Sequence, residues 1–124
     1  MNTTQKGNAG ETAACTLLEQ GGYTIVKRNH RAYSGGICVG EIDIIAQKGE
    51  YIVFAEVKTR KAGSLGSGAE AVDTRKRRRL LTSALLWVME NNCQLQPRFD
   101  VIEVTETPDG GCVLNHIENA FGEE

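Results

Sequence analysis

Gly40 to Lys58 reads G-E-I-D-I-I-A-Q-K-G-E-Y-I-V-F-A-E-V-K. β-branched and aromatic residues dominate two runs, Gly40–Ala46 and Tyr51–Lys58, and Gln47-Lys48-Gly49-Glu50 lies between them as a polar turn. The stretch predicts a β-hairpin. Glu41, Asp43, Glu56 and Lys58 are set into its strands. An unpaired charge buried in such strands costs several kcal/mol or gives up its charge. Three carboxylates and a lysine therefore need a chemical reason to be there.

Strand geometry supplies one. Side chains alternate between faces, so Glu41, Asp43 and Ile45 share a side, as do Ile52, Phe54, Glu56 and Lys58. A turn pairing Ala46 with Tyr51 sets Asp43 opposite Phe54 and Glu41 opposite Glu56. All three carboxylates and Lys58 then share one side, with Asp43 and Glu56 diagonal neighbours about 7–8 Å apart. A one-residue slip would send Asp43 to the other face. Carboxylates this close repel unless a cation lies between them. Hard oxygen ligands suit Mg²⁺ or Mn²⁺, which retains waters and accepts phosphate oxygens. Such an ion acidifies water and offsets charge on a scissile phosphate. Lys58 is then placed to orient the attacking water or stabilise the transition-state charge. The competing reading is a salt-bridge network of Asp43, Glu56 and Lys58 at a strand end.

Outward from the hairpin, residues 8–20 carry Ala9, Ala13, Leu17 and Ala14, Leu18 at helical spacing, stopped by Gly21-Gly22. Tyr23–Arg28 reads as a strand, and Asn29–Val39 as a loop or strand extension containing Gly35-Gly36. Thr59–Gly68 is rich in Gly and Ser and reads as mobile. A second helix ends near Asn91 with the stripe Leu81, Ala84, Leu85, Val88, flanked by Leu80 and Trp87. Asp73 or Thr74 caps it, or the rival capping box Ser67-x-x-Glu70 does. Arg98–Val104 and Cys112–Ile117 are further strands around the turn Pro108-Asp109-Gly110-Gly111. The order αβββαββ predicts a mixed sheet with helices on it.

The 124 residues suit a single domain over 1–124. Net charge is −2, but unevenly spread. Lys58 to Arg79 holds eight bases against Glu70 and Asp73, net +6, and Glu90 to Glu124 holds eight acids against Arg98, net −7. One basic face follows. Arg75-Lys76-Arg77-Arg78-Arg79 crowds the start of the second helix, the unfavourable end for cations and one suited to phosphate. A start at Ser67 would make the run an ordinary solvated face. Arg77 falls on the core stripe and snorkels. Arg60, Lys61, Arg75, Lys76 and Arg79 are the candidates for positioning a nucleic-acid backbone without reading bases.

The four cysteines form no C-x-x-C motif and read as small buried or half-buried hydrophobes in a reducing cytosol. His30 and His116 read as packed or surface residues. There is no signal-peptide pattern and no apolar run of membrane length, so a cytoplasmic protein without membrane association is expected.

The D…E-x-K pattern on a hairpin resembles the PD-(D/E)xK nuclease superfamily. The wider set is similar to the bacterial YraN-like family, which is related to archaeal Holliday-junction resolvases: G-N-A-G-E at Gly7–Glu11, G-E-I-D-I-I-A at Gly40–Ala46, F-A-E-V-K-T-R at Phe54–Arg60, A-V-D-T-R-K around Ala71–Lys76, R-F-D-V at Arg98–Val101 and H-I-E-N-A-F at His116–Phe121. This resemblance spans nearly the whole chain. It implies a restriction-endonuclease-like αβββαβ core, a mixed sheet flanked by helices. It also implies an Mg²⁺- or Mn²⁺-dependent endonuclease acting on DNA, on branched or recombination intermediates. Asp43, Glu56 and Lys58 match the metal and catalytic positions, and Glu11 the helix acid beside the metal. Glu11 also has a plain reading, an acid in a helix's first turn. Glu41 is a supporting candidate. The segment Arg31–Val39 is longer than the family pattern. The alternative function is a non-catalytic nucleic-acid-binding protein on a nuclease fold. The expected partner is nucleic acid, DNA foremost, with a homodimer as a further candidate assembly.

Overall fold

The hairpin forms, in a register two residues from the expected one. The computed structural model describes residues 3–61 and 74–121. Ile37–Lys48 (β2) and Tyr51–Lys61 (β3) run antiparallel, with Lys48 opposite Tyr51, Ala46 opposite Val53 and Ile44 opposite Ala55. The loop shrinks to Gly49-Glu50, with Gly49 at φ 56°. Two-residue turns with glycine first match the twist of the flanking strands better than a four-residue loop, which is why the Ala46–Tyr51 pairing fails. A shift of two preserves parity. Asp43 now comes level with Glu56 instead of diagonal to it.

Around this pair stand α1 (Thr3–Gln20), β1 (Thr24–Ser34), α2 (Thr74–Glu90), β4 (Gln96–Glu106) and β5 (Cys112–Phe121). The strand order is β1-β2-β3-β4-β5, all neighbours antiparallel except the parallel pair β3–β4. Parallel neighbours need a long crossover, and α2 belongs to it. The αβββαβ core expected from sequence is present, with β5 added at the edge. β1 is longer than its expected Tyr23–Arg28 because Gly35 and Gly36, at φ 58° and 81°, turn the chain between the paired residues Ser34 and Ile37. Only glycine enters that left-handed region freely, so the added segment becomes a hairpin extension. α1 ends as expected: Tyr23 N–H donates to the Leu18 carbonyl at 3.0 Å and Gly22 N–H to that of Glu19 at 3.1 Å.

Each helix covers one face. On the α1 side Ala14, Cys15 and Leu18 pack with Ile44, Ala46, Val53, Ala55 and Ile102. On the α2 side Leu80, Ala84 and Trp87 pack with Ile42, Ile45, Ile52, Phe54 and Phe99. β3 is buried on both faces from Ile52 to Glu56, as expected of a central strand with a parallel neighbour. The buried stripe of α2 is rotated from the predicted one: Leu80, Ser83, Ala84 and Trp87 face inward, while Leu85 is 57% exposed. Gly40 accommodates the inward-facing Ser83. A Cβ there would overlap Ser83 Oγ and lie 2.9 Å from the Arg79 carbonyl oxygen, so β2 and α2 touch closely at this point. Gly40→Ala is expected to cost about 1–3 kcal/mol by forcing α2 outward, seen as a lower urea midpoint at constant slope. An unchanged midpoint would show that the close approach carries no load.

Asp73, Ser67, Glu70 and most of Thr59–Gly68 lie outside the described residues. All four cysteines are free; Cys15 is buried and Cys93 partly so. Cys38 and Cys112 are exposed, against expectation, because both lie at hairpin ends beyond the two cores. Among the described residues no helix is long and apolar enough to cross a membrane.

Candidate metal and phosphate site

Asp43 sits where the sheet forks. The β2–β3 ladder is regular up to Ile44–Ala55. Beyond it Asp43 Oδ2 accepts the Val57 N–H at 2.8 Å, replacing a strand-to-strand bond with a side chain. On the other flank Asn29, at φ 52°, falls between the pairs Arg28–Ile44 and His30–Ile42, level with Asp43. Around this point simple alternation breaks. Ile42 and Ile45 pack on the α2 side, whereas Ile44 and Ala46 pack on the α1 side.

The fork opens a cavity of about 380 Å³ lined by Glu11, Glu41, Asp43 and Glu56, with Lys76 and Arg79 from α2. Both helices reach it. Glu11 lies more than two turns inside α1, so the helix-start explanation of this acid no longer applies. Glu11 Oε2 is buried without a hydrogen bond, and Arg28 Nη2 stands 3.7 Å from it. Asp43 is half-buried, and its pKa is pushed up to about 7, first by burial and then by the neighbouring Glu56, against the lowering effect of the Val57 N–H. Glu41 is exposed and paired with Arg31 at 2.8 Å.

The cations are arranged differently from the sequence reading. Lys58 is half-buried on β3 and does not line the cavity. The lysine on Glu56 is Lys76, with Nζ 2.5 Å from Oε1. The network read as Asp43, Glu56 and Lys58 is therefore built with a different lysine, from a helix remote in sequence. Arg60 is tied to the buried Glu103 at 2.8 Å, which makes it part of the sheet's internal pairing. Lys61 and Arg75 are exposed, and Arg79 donates to the Val39 carbonyl at 3.4 Å. Arg77 lies over the Phe121 ring at 5.4 Å, the apolar anchorage expected of it.

The donor chemistry fits a hard divalent cation. Asp43 and Glu56 are level across the fork, Glu11 brings an unsatisfied buried oxygen, and burial together with the neighbouring Glu56 raises the Asp43 pKa. Among the described residues no three Asp, Glu, His or Cys side chains gather closely enough to enclose an ion. Two carboxylates completed by water and phosphate oxygens is the usual Mg²⁺ pattern.

A second polar cluster escaped the sequence reading. Fully buried Asp100 accepts from Arg98 Nε and Nη2 at 2.9 and 2.7 Å and from the Asn119 N–H at 3.0 Å, and lies 2.7 Å from His116 Nε2. Arg98 also reaches Tyr23 Oη at 2.5 Å. The only signal was R-F-D and H-I-E-N standing in adjacent strand segments. His30 is buried, with neither ring nitrogen bonded.

Comparison with known proteins adds relatives of full length. A family model described as Uncharacterised protein family UPF0102 matches residues 10–104. A UPF0102 protein of Symbiobacterium thermophilum is 46% identical over 116 residues, 93% of this chain and 94% of the relative. One of Caldanaerobacter subterraneus subsp. tengcongensis is 39% identical over 124 residues, 98% of both chains. One of Clostridioides difficile is 38% identical over 122 residues, 98% of this chain and 100% of the relative.

Proposed function

The chain belongs to the uncharacterised protein family UPF0102, and we propose that it is a divalent-cation-dependent endonuclease hydrolysing DNA phosphodiester bonds. The observation that carries this reading is one cavity lined by acids from α1, β2 and β3 and by cations from α2. Asp43 and Glu56 would hold Mg²⁺ or Mn²⁺, with Glu11 as a third donor. A cation there would supply positive charge against the scissile phosphate and acidify water. The Val57 N–H holds Asp43 Oδ2 at 2.8 Å, so this carboxylate is already oriented beside the cavity it would serve. Arg79, and the exposed Arg75 and Lys61 outside the cavity, would hold the DNA backbone by charge. Lys58, one alternation beyond Glu56, would act on the attacking water only by turning toward the fork. None of these contacts reads a base, so discrimination would rest on DNA shape, and branched substrates are the class to test first.

The test is a cleavage screen over linear, flapped and four-way DNA with Mg²⁺ or Mn²⁺, and EDTA as control. Cleavage of at least one structure, abolished by EDTA, is expected. No cleavage of any of them in either metal would sink the proposal.

A further inference from the structure

Lys76 is not placed as a surface phosphate-binding lysine. It lies in the first turn of α2, where a cation opposes the helix dipole. Its ammonium nevertheless turns inward, 2.5 Å from Oε1 of a Glu56 side chain that is 9% exposed, and it lines the same cavity as Asp43 and Glu11. As an ordinary half-exposed ion pair this would contribute little to stability. Its position has a larger consequence, because it sits on the carboxylate that the proposed metal site requires.

We infer that Lys76 is a built-in counter-ion that holds Glu56 in competition with a divalent cation, and so sets the metal affinity of the site. The inference rests on the nuclease reading only in taking Glu56 as a metal ligand. An ammonium in contact with a carboxylate weakens that carboxylate for any second cation, by Coulomb repulsion and by occupying a lone pair. When a cation takes Glu56, the ammonium loses this carboxylate contact at the cavity wall it shares with Arg79. Metal and a phosphate of the substrate should then bind with positive coupling through this one side chain.

The test is Mn²⁺ binding measured by calorimetry in the absence of DNA, on the full chain. Lys76→Met and Lys76→Gln should bind Mn²⁺ about tenfold more tightly than the parent. Thermal melts show whether each variant is folded, and Gln, which keeps a hydrogen bond to Glu56 without charge, serves if Met does not fold. Unchanged or weaker Mn²⁺ binding in the folded variants overturns the inference. Glu56→Gln separates the two ideas. If it abolishes Mn²⁺ binding while the Lys76 variants match the parent, only the counter-ion role fails. If Glu56→Gln binds Mn²⁺ as the parent does, the metal site at Glu56 fails and the counter-ion role with it. In Ca²⁺, the parent should also gain more affinity for a short duplex DNA than Lys76→Gln gains. An equal gain overturns the coupling.

Discussion

At pH 8 without divalent cations, the Asp43→Asn protein should melt at a higher temperature than its parent while cutting no DNA. The first half follows from linkage. Asp43 has its pKa pushed from 3.8 to about 7 in the folded chain, by burial first and by Glu56 second. The folded state therefore keeps a proton that the unfolded state loses near pH 4. With fewer protons on the unfolded chain, stability falls as pH rises from about 4 to about 7 and then levels off. About three pH units at about 1.4 kcal/mol each set a ceiling near 4 kcal/mol, and about 2 kcal/mol is the working expectation for a half-buried group. Asn mimics the protonated acid and can still accept the Val57 N–H. The advantage of Asn should vanish near pH 4 and be largest at pH 8. Mg²⁺ should raise the melting temperature of the parent and narrow the gap. A variant less stable than its parent at pH 8 would mean that the folded site neutralises the charge, and the picture of a strained acidic cluster would go. The second half follows from the proposed function: if Asp43 holds the cation, loss of its charge should cost about a thousandfold in rate, several kcal/mol of transition-state stabilisation.

Asp100→Ala should act in the opposite way, with a large loss of stability wherever the parent is folded. The carboxylate is fully buried and takes hydrogen bonds from Arg98 and the Asn119 N–H, with His116 in contact. Its removal leaves Arg98, 13% exposed, as an uncompensated charge among Tyr23 and the sheet. Breaking a buried pair from one side costs about 3–5 kcal/mol, which corresponds to a fall in Tm of roughly 10–20 °C for a chain of this size. Burial raises the Asp100 pKa, but His116, Arg98 and the Asn119 N–H outweigh it and hold the carboxyl below its usual value. A depressed carboxylate stabilises the fold above the unfolded pKa near 4, and that contribution is lost as pH falls through the folded value. Acid unfolding of the parent should therefore be steepest below about pH 4, and the Asp100→Ala profile flatter there. A loss under about 1 kcal/mol would show that the cluster is ornamental.

These two carboxylates also divide what could be read from the chain. Asp43 was visible because an acid between isoleucines breaks a strand pattern. Asp100 was not, because R-F-D-V reads as an ordinary strand start and its partners lie in other strands. Glu11 was visible only by resemblance; its helix begins earlier than the apolar spacing suggests, and that changes its meaning from a helix-end acid to one aimed at the fork.

By itself the sequence determined the element order and the hairpin, since strand propensity and turn chemistry are local, whereas at Asp43 the fork in the sheet interrupts the alternation. Tertiary structure decided which lysine meets Glu56. Lys58 shares a strand with it, yet Lys76 makes the contact, because α2 is seated on the sheet by its core residues, with the close approach at Gly40. The register lies two residues from the expected one for a local reason, since a two-residue turn with Gly49 first suits twisted strands better than the loop that the polar residues outline. Of the charges that crowd Gly40–Lys58, the acids Glu41, Asp43 and Glu56 line a cavity completed by two helices, which no reading of the hairpin alone contains.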